Sequence, residues 1–242
     1  MRLRRIGVLV AGLSIIASLA VTPVHAQAPT ATVSATVKIA RGWLKSLKTV
    51  TPSYLDYSRT ADFGKAWVDV DGNGCKTRDD ILIRDLSSEV VGSGCQVKSG
   101  VLKDPYTGKT INFVRGVRTS LAVQIDHVIP LHLAWQLGAY KWKFGKRVTF
   151  ANDPVNLIAT DGPTNGAKSD SGPDEWLPPS SKYQCTYVIR FIRVAFLYQV
   201  GITSSMRTAM NSTLNSCKVI IGKPTLLKAL PASVYSYAAA IG

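Results

Sequence analysis

LAVQIDHVIP (121–130), NDPVNLIAT (152–160) and TNGAKSD (164–170) decide how this chain is read. The first run is apolar, strand-like and closed by Pro130, so Asp126 and His127 are neighbours on a strand whose side chains alternate between its two faces. One of the two can then hold a cation while the other handles a proton. Asn156 opens a second apolar run. Asn165 lies in a turn punctuated by proline and glycine that starts a short helix carrying Lys168. The expected local order is strand, strand, helix, and the expected fold class is α+β.

The residue types suit phosphodiester chemistry. Hard divalent cations prefer oxygen ligands, which an aspartate supplies with charge and an asparagine amide without it. A histidine with an unperturbed pKa of about 6.5 is neutral often enough near pH 7 to accept a proton from water. An isolated histidine after a strand usually just packs. The preceding aspartate and the two downstream asparagines reverse that preference for His127. His132, in the helix-like LHLAWQLGAYKW, keeps the ordinary reading of a surface or packed imidazole.

These residues resemble the HNH endonucleases, whose core is a ββα-metal motif patterned Asp/His-His, then Asn, then His/Asn. WVDVDGNGCKTRDDIL, LKDPYTGK, RVTFANDPVNL and EWLPPSSKYQCTYV extend the resemblance to secreted bacterial members, roughly from Ala61 to Cys217. The resemblance implies that Asp126 and Asn165 ligate a divalent metal, that His127 is the general base, and that Asn156 orients the His127 loop. The metal implied is Mg²⁺, with Mn²⁺ or Ca²⁺ as alternatives, and the substrate is DNA, or RNA as well. Arg147 and Lys168 flank the motif and are the candidate nucleic-acid-binding residues. Either is as readily an ordinary solvated charge.

Composition fits a polyanionic partner. Lys and Arg number 29 against 15 Asp and Glu, a formal charge of +14. Such a charge draws in nucleic acid, but also anionic cell-wall polymers. The start of the chain reads as an export signal: MRLRR is basic, IGVLVAGLSIIASLAV apolar, and TPVHA a cleavage site ahead of Gln27. Loss of Arg2, Arg4 and Arg5 with that segment leaves 26 cationic residues against 15 acidic ones, +11. The expected organisation is a signal peptide over 1–26, a leader or linker over 27–50, and one nuclease domain over 51–242 with its motif at about 121–173. Secretion without stable membrane insertion follows.

Four cysteines in an exported chain form a disulfide framework. SKYQCTYVIRFIRVAFLYQV places Tyr187, Val188, Phe191, Ala195 and Tyr198 on one helical stripe, with Arg190 and Arg193 elsewhere, and a second helical segment ends at Cys217. Two antiparallel helices would bring Cys185 to Cys217, leaving Cys75 with Cys95. The expected architecture is therefore an N-terminal mixed lobe, the ββα core and a disulfide-linked C-terminal hairpin. DVDGNGCKTRDD partly fits a calcium loop at Asp69, Asp71, Asn73 and Gly74, but carries Asp80 where a bidentate glutamate is usual, and the same residues make metal-free turns. The tryptophans read mainly as core. Two rivals to the nuclease remain: an inactive binder of nucleic acid or anionic cell wall, and a calcium-stabilised surface protein.

Overall fold

A computed structural model describes residues 29–241; the expected signal peptide, 1–26, lies outside them. The chain runs through α1 (Pro29–Ser46), α2 (Arg59–Phe63) and α3 (Thr77–Asp85) into a meander of β1 (Leu86–Val91), β2 (Val97–Lys103) and β3 (Thr110–Val114). It continues through β4 (Val123–His127), α4 (Leu131–Gln136), α5 (Phe144–Asn152), β5 (Leu157–Asp161) and α6 (Gly162–Lys168). Three further helices follow: α7 (Ser181–Tyr198), α8 (Ser204–Asn215) and α9 (Val234–Ile241). The fold is mixed α+β, with an antiparallel β1-β2-β3 sheet and an antiparallel β4-β5 pair.

That second pair stands between two cores. Its register sets Ile125 opposite Ala159 and Asp126 opposite Ile158, and residues directly opposite in an antiparallel pair share a face. Val123, Ile125, Leu157 and Ala159 pack with Ile81, Leu82, Leu102 and Phe113 of the mixed lobe. Ile158 on the other face joins the larger core of α1, α4, α5, α7 and α8. Strands buried on both faces read as continuous apolar runs rather than alternating ones, which is how LIA in β5 appears. The turn entering β5 is drawn in by two guanidinium groups, because Arg84 and Arg190 both donate to the carbonyls of Pro154 and Leu157.

Two expectations need correction. Residues 27–50 are not a loose leader in the part described: α1 spans Pro29–Ser46, and Ala40, Leu44 and Leu47 are buried in the main core. The interval from Val37 through Ala40 to Leu44 is a helical apolar stripe, masked in sequence by intervening small polar residues. Arg190 does not fall outside the α7 stripe but is buried at 8 % exposure, tolerated because its N–H groups meet three main-chain carbonyls.

Both disulfides close as Cys75–Cys95 and Cys185–Cys217. Cys185 lies near the start of α7 and Cys217 just past the end of α8, so the helices run antiparallel. The five residues of the apolar stripe are all buried. With a sequence separation of 32, loop closure in the unfolded chain accounts for about 3–4 kcal/mol. A Cys185→Ser/Cys217→Ser variant is expected to melt earlier by that free energy with an unchanged far-ultraviolet spectrum, and non-reducing peptide mapping of the parent should join these two cysteines. A fragment linking Cys185 to Cys75 would overturn the hairpin.

Candidate active site

Asp126, His127 and Asn165 line one pocket of about 240 Å³ at the end of β4, together with Arg59, His132 and Asp170. Strand alternation sends Asp126 and His127 to opposite faces, yet the pocket caps the strand end, where both reach it. Asn165 arrives from α6. That helix starts directly on β5: Asp161 caps it by accepting from the Thr164 amide at 2.9 Å, and Gly162 follows because a Cβ there would lie 2.0 Å from the Leu121 carbonyl oxygen. This close approach seats α6 against the chain entering β4.

Asp126 is buried and bonded through both oxygens. Lys168 Nζ donates to Oδ1 at 2.8 Å and Tyr106 Oη to Oδ2 at 2.6 Å. Lys168, wholly buried, also donates to the His127 carbonyl at 2.8 Å. An ionised carboxylate offers about four lone-pair sites, so two bonds leave Asp126 capacity for a cation. The Asn165 amide nitrogen donates to Gln124 Oε1 at 2.9 Å, which turns its own Oδ1, free of any hydrogen bond among the described residues, toward use as a ligand. A hard oxygen pair in a polar pocket fits a cation that keeps most of its waters, as Mg²⁺ does. Among the described residues no cluster of three or more His, Cys, Asp or Glu has metal-binding geometry.

His127 is oriented from the far side. Its Nε2 lies 2.8 Å from the Ala151 carbonyl, one of the last-turn carbonyls of α5 that have no helical partner. A carbonyl only accepts, so Nε2 carries the proton and Nδ1 keeps a lone pair. Burial pushes the imidazole down to about 3; the Ala151 bond opposes this, and the charges of Arg59 and Lys168 add to it. The ring is therefore neutral at neutral pH. Trp67 stacks on it at 6.1 Å between centroids.

Asn156, fully buried, grips the segment after the strand twice: Oδ1 accepts from the Ile129 amide at 2.8 Å and Nδ2 donates to the Ile129 carbonyl at 3.2 Å. Its own carbonyl accepts from Val128 N at 2.7 Å.

The two phosphate-clamp candidates sit elsewhere than the sequence suggested. Arg147 donates to the Asp62 carbonyl at 2.6 Å and to the Trp142 carbonyl, and lies 5.5 Å from the Trp135 ring centre; it ties α5 to α2. Lys168 is the internal counter-ion of Asp126 and presents no charge to solvent. Sequence reasoning passed over Arg59, Tyr106 and the His132–Asp170 pair, the last with Nδ1 to Oδ2 at 3.1 Å and Tyr57 stacked on the imidazole at 4.7 Å. Tyr106 and Asp170 stand in LKDPYTGK and TNGAKSD, but nothing local assigns them a role, and these residues become neighbours only on folding. The acidic turn closes on itself, with Asp69 accepting from the amides of Gly72, Asn73 and Gly74.

Residues 76–205 match the family described as GmrSD restriction endonucleases, C-terminal domain. The chain belongs to that family. Strands β1–β5 and helix α6, and so the whole pocket but Tyr57 and Arg59, fall inside the matched span. An "Uncharacterized secreted protein" of Arthroderma benhamiae is 35 % identical over 207 residues, covering 85 % of this chain and 98 % of the relative. No solved structure matches. Like its relatives in this nuclease family, the chain points to nucleic acid as substrate; among its described residues no helix is long and apolar enough to cross a membrane.

The buried Asp126–Lys168 pair makes a stability prediction. Lys168→Ala strands a buried carboxylate and should lower the unfolding free energy by roughly 3–5 kcal/mol, whereas Asp126→Asn with Lys168→Met removes both charges and should recover much of that loss. Denaturant midpoints of the three proteins test this; equal stability of Lys168→Ala and the parent would show that the pair is not buried as described.

Proposed function

We propose that this protein is a secreted, metal-dependent endonuclease of the HNH type that hydrolyses phosphodiester bonds in DNA, or RNA as well. The observation that carries the reading is the bare Nδ1 of His127, held neutral by burial and by the Ala151 carbonyl, beside Asp126 and Asn165 in one polar pocket. His127 Nδ1 takes the proton from an attacking water. Asn156 keeps the His127 turn in place through its double bond to Ile129. Asp126 and Asn165 would hold a divalent cation, which when bound supplies charge neutralisation at the phosphate and leaving oxygen. Lys168 and Tyr106 fix the Asp126 carboxylate so that it needs no rearrangement to act. Membership of a nuclease family and the +14 charge support a nucleic-acid substrate, and the name of the Arthroderma relative supports export. The basic charge favours backbone contacts, so cleavage with little sequence preference and steep salt dependence is the expected behaviour.

Plasmid nicking in Mg²⁺ tests this. His127→Ala should lose about 10²-fold or more in rate while still folding and binding DNA in chelator. Asp126→Asn should lose more than Asn165→Ala, since it removes a charged ligand rather than a dipole. Parental rates from His127→Ala, or undiminished nicking by the parent in excess chelator, would refute the mechanism. Binding without cutting in any divalent metal would instead leave an inactive nucleic-acid or cell-wall binder.

A further inference from the structure

We infer that Arg59 is the phosphate-binding side chain of this pocket, a contact that acts on the substrate rather than on the fold. The inference rests on the nuclease reading above and deepens it by naming the residue that engages the polyanion.

The case begins with how the arginines are used. Arg78, Arg84, Arg115, Arg147, Arg190 and Arg207 each donate to a main-chain carbonyl of the protein. They are structural cations, and their N–H groups are aimed inward. Arg59 differs. Among the described residues it makes no ion pair, and its single hydrogen bond, to the Gly64 carbonyl, is long at 3.5 Å. A guanidinium has five N–H donors, so nearly all of its capacity is unassigned, and it lines the pocket that holds Asp126, His127 and Asn165.

Its base is rigid even though its head is free. α2 is one short turn, pinned because Phe63 is fully buried against Phe150 and Trp135, with ring centres 6.3 and 6.2 Å away. The Asp62 carboxylate accepts from the Ser58 amide at 2.7 Å, closing the turn. Arg147 donates to the Asp62 carbonyl and so fastens α2 to α5, the helix whose Ala151 carbonyl orients His127. One helix therefore sets the position of both the imidazole and the arginine, which line the same pocket.

The opposite end of the cleft explains why one free cation matters. Beyond His132, Ser169 and Asp170 the pocket continues into a second hollow lined by Asp170, Asp174 and Glu175. A phosphate chain extended that way meets carboxylates, whereas on the Arg59 side it meets a planar fork suited to two phosphate oxygens. With Lys168 neutralised by Asp126, Arg59 is the cation of this pocket left for substrate.

Two readouts test the assignment. In chelator, affinity for a fluorescein-labelled 20-base-pair duplex should fall in Arg59→Ala, and the slope of log affinity against log salt should shrink by about one. Lys143→Ala, an exposed cation outside the pocket, is the charge-matched control and should leave that slope nearer the parent's. In Mg²⁺, plasmid cleavage by Arg59→Ala should drop roughly 10- to 100-fold in kcat/KM, the range for losing a hydrogen bond to a charged group. Arg59→Lys should restore only part of it, for want of the fork. A parental slope and parental cleavage in Arg59→Ala at unchanged melting temperature would overturn the inference, as would an equal loss in Lys143→Ala. If the parent cuts nothing in any metal, the nuclease reading fails, and the chelator arm still decides whether Arg59 binds phosphate.

Discussion

A single buried ammonium holds the functional end of this protein together. Lys168 Nζ, at the last residue of α6, reaches Asp126 Oδ1 and the His127 carbonyl, both at 2.8 Å. The ion pair thus locks the helix that carries Asn165 onto the strand that carries the other two pocket residues. Burying two charges is expensive, and such a pair stabilises little by itself. What it sets is geometry: with either partner gone, the other is a charge with nowhere to go, so the strand and helix cannot slide past one another without a large penalty. Tyr106 completes the satisfaction of the carboxylate from the β2–β3 connection, which brings the mixed lobe into the same constraint.

The two cores meet at β4 and β5, and the pocket forms where that wall ends. Polar side chains there are held from behind by backbone: His127 by a last-turn carbonyl of α5, Asn156 by both polar atoms of Ile129, the β5 entrance by Arg84 and Arg190. Each bond uses a carbonyl or amide that secondary structure leaves over, at a helix end or in a turn. The protein therefore positions its polar residues with groups that needed partners anyway. This is also why several of its arginines, on a strongly basic chain, are spent on main-chain carbonyls.

A good deal was legible in the amino acids. Asp126, His127 and Asn165 meet in one pocket, the three quoted runs form β4, β5 and α6 with α4 and α5 between the two strands, and the cysteine pairs close in the arrangement that two antiparallel helices require. These succeed for one reason: each is a short-range pattern, an alternation, a helical stripe or a turn residue, whose meaning is set by a few neighbours. The α1 error has the same root in reverse. Alanines, threonines and serines around Val37, Ala40 and Leu44 look like a linker by composition, and only the main core supplies the apolar surface that makes this segment a packed helix.

The sequence by itself determined the mixed fold class, the basic charge, the hairpin and the set of candidate chemical groups. The tertiary structure alone decided what each cation does. A lysine or arginine is written the same way whether it meets solvent, a carbonyl or a carboxylate, and its partners lie tens of residues away along the chain. Lys168 finds Asp126 across 42 positions, Arg147 finds Asp62 across 85 and Arg190 finds Leu157 across 33. Long-range contacts of that kind follow from how the two cores dock on β4 and β5, which no local pattern encodes. For the same reason Arg59, one unremarked residue in SRTADFG, becomes the free guanidinium beside His127 only once α2 is pinned by Phe63 in the core.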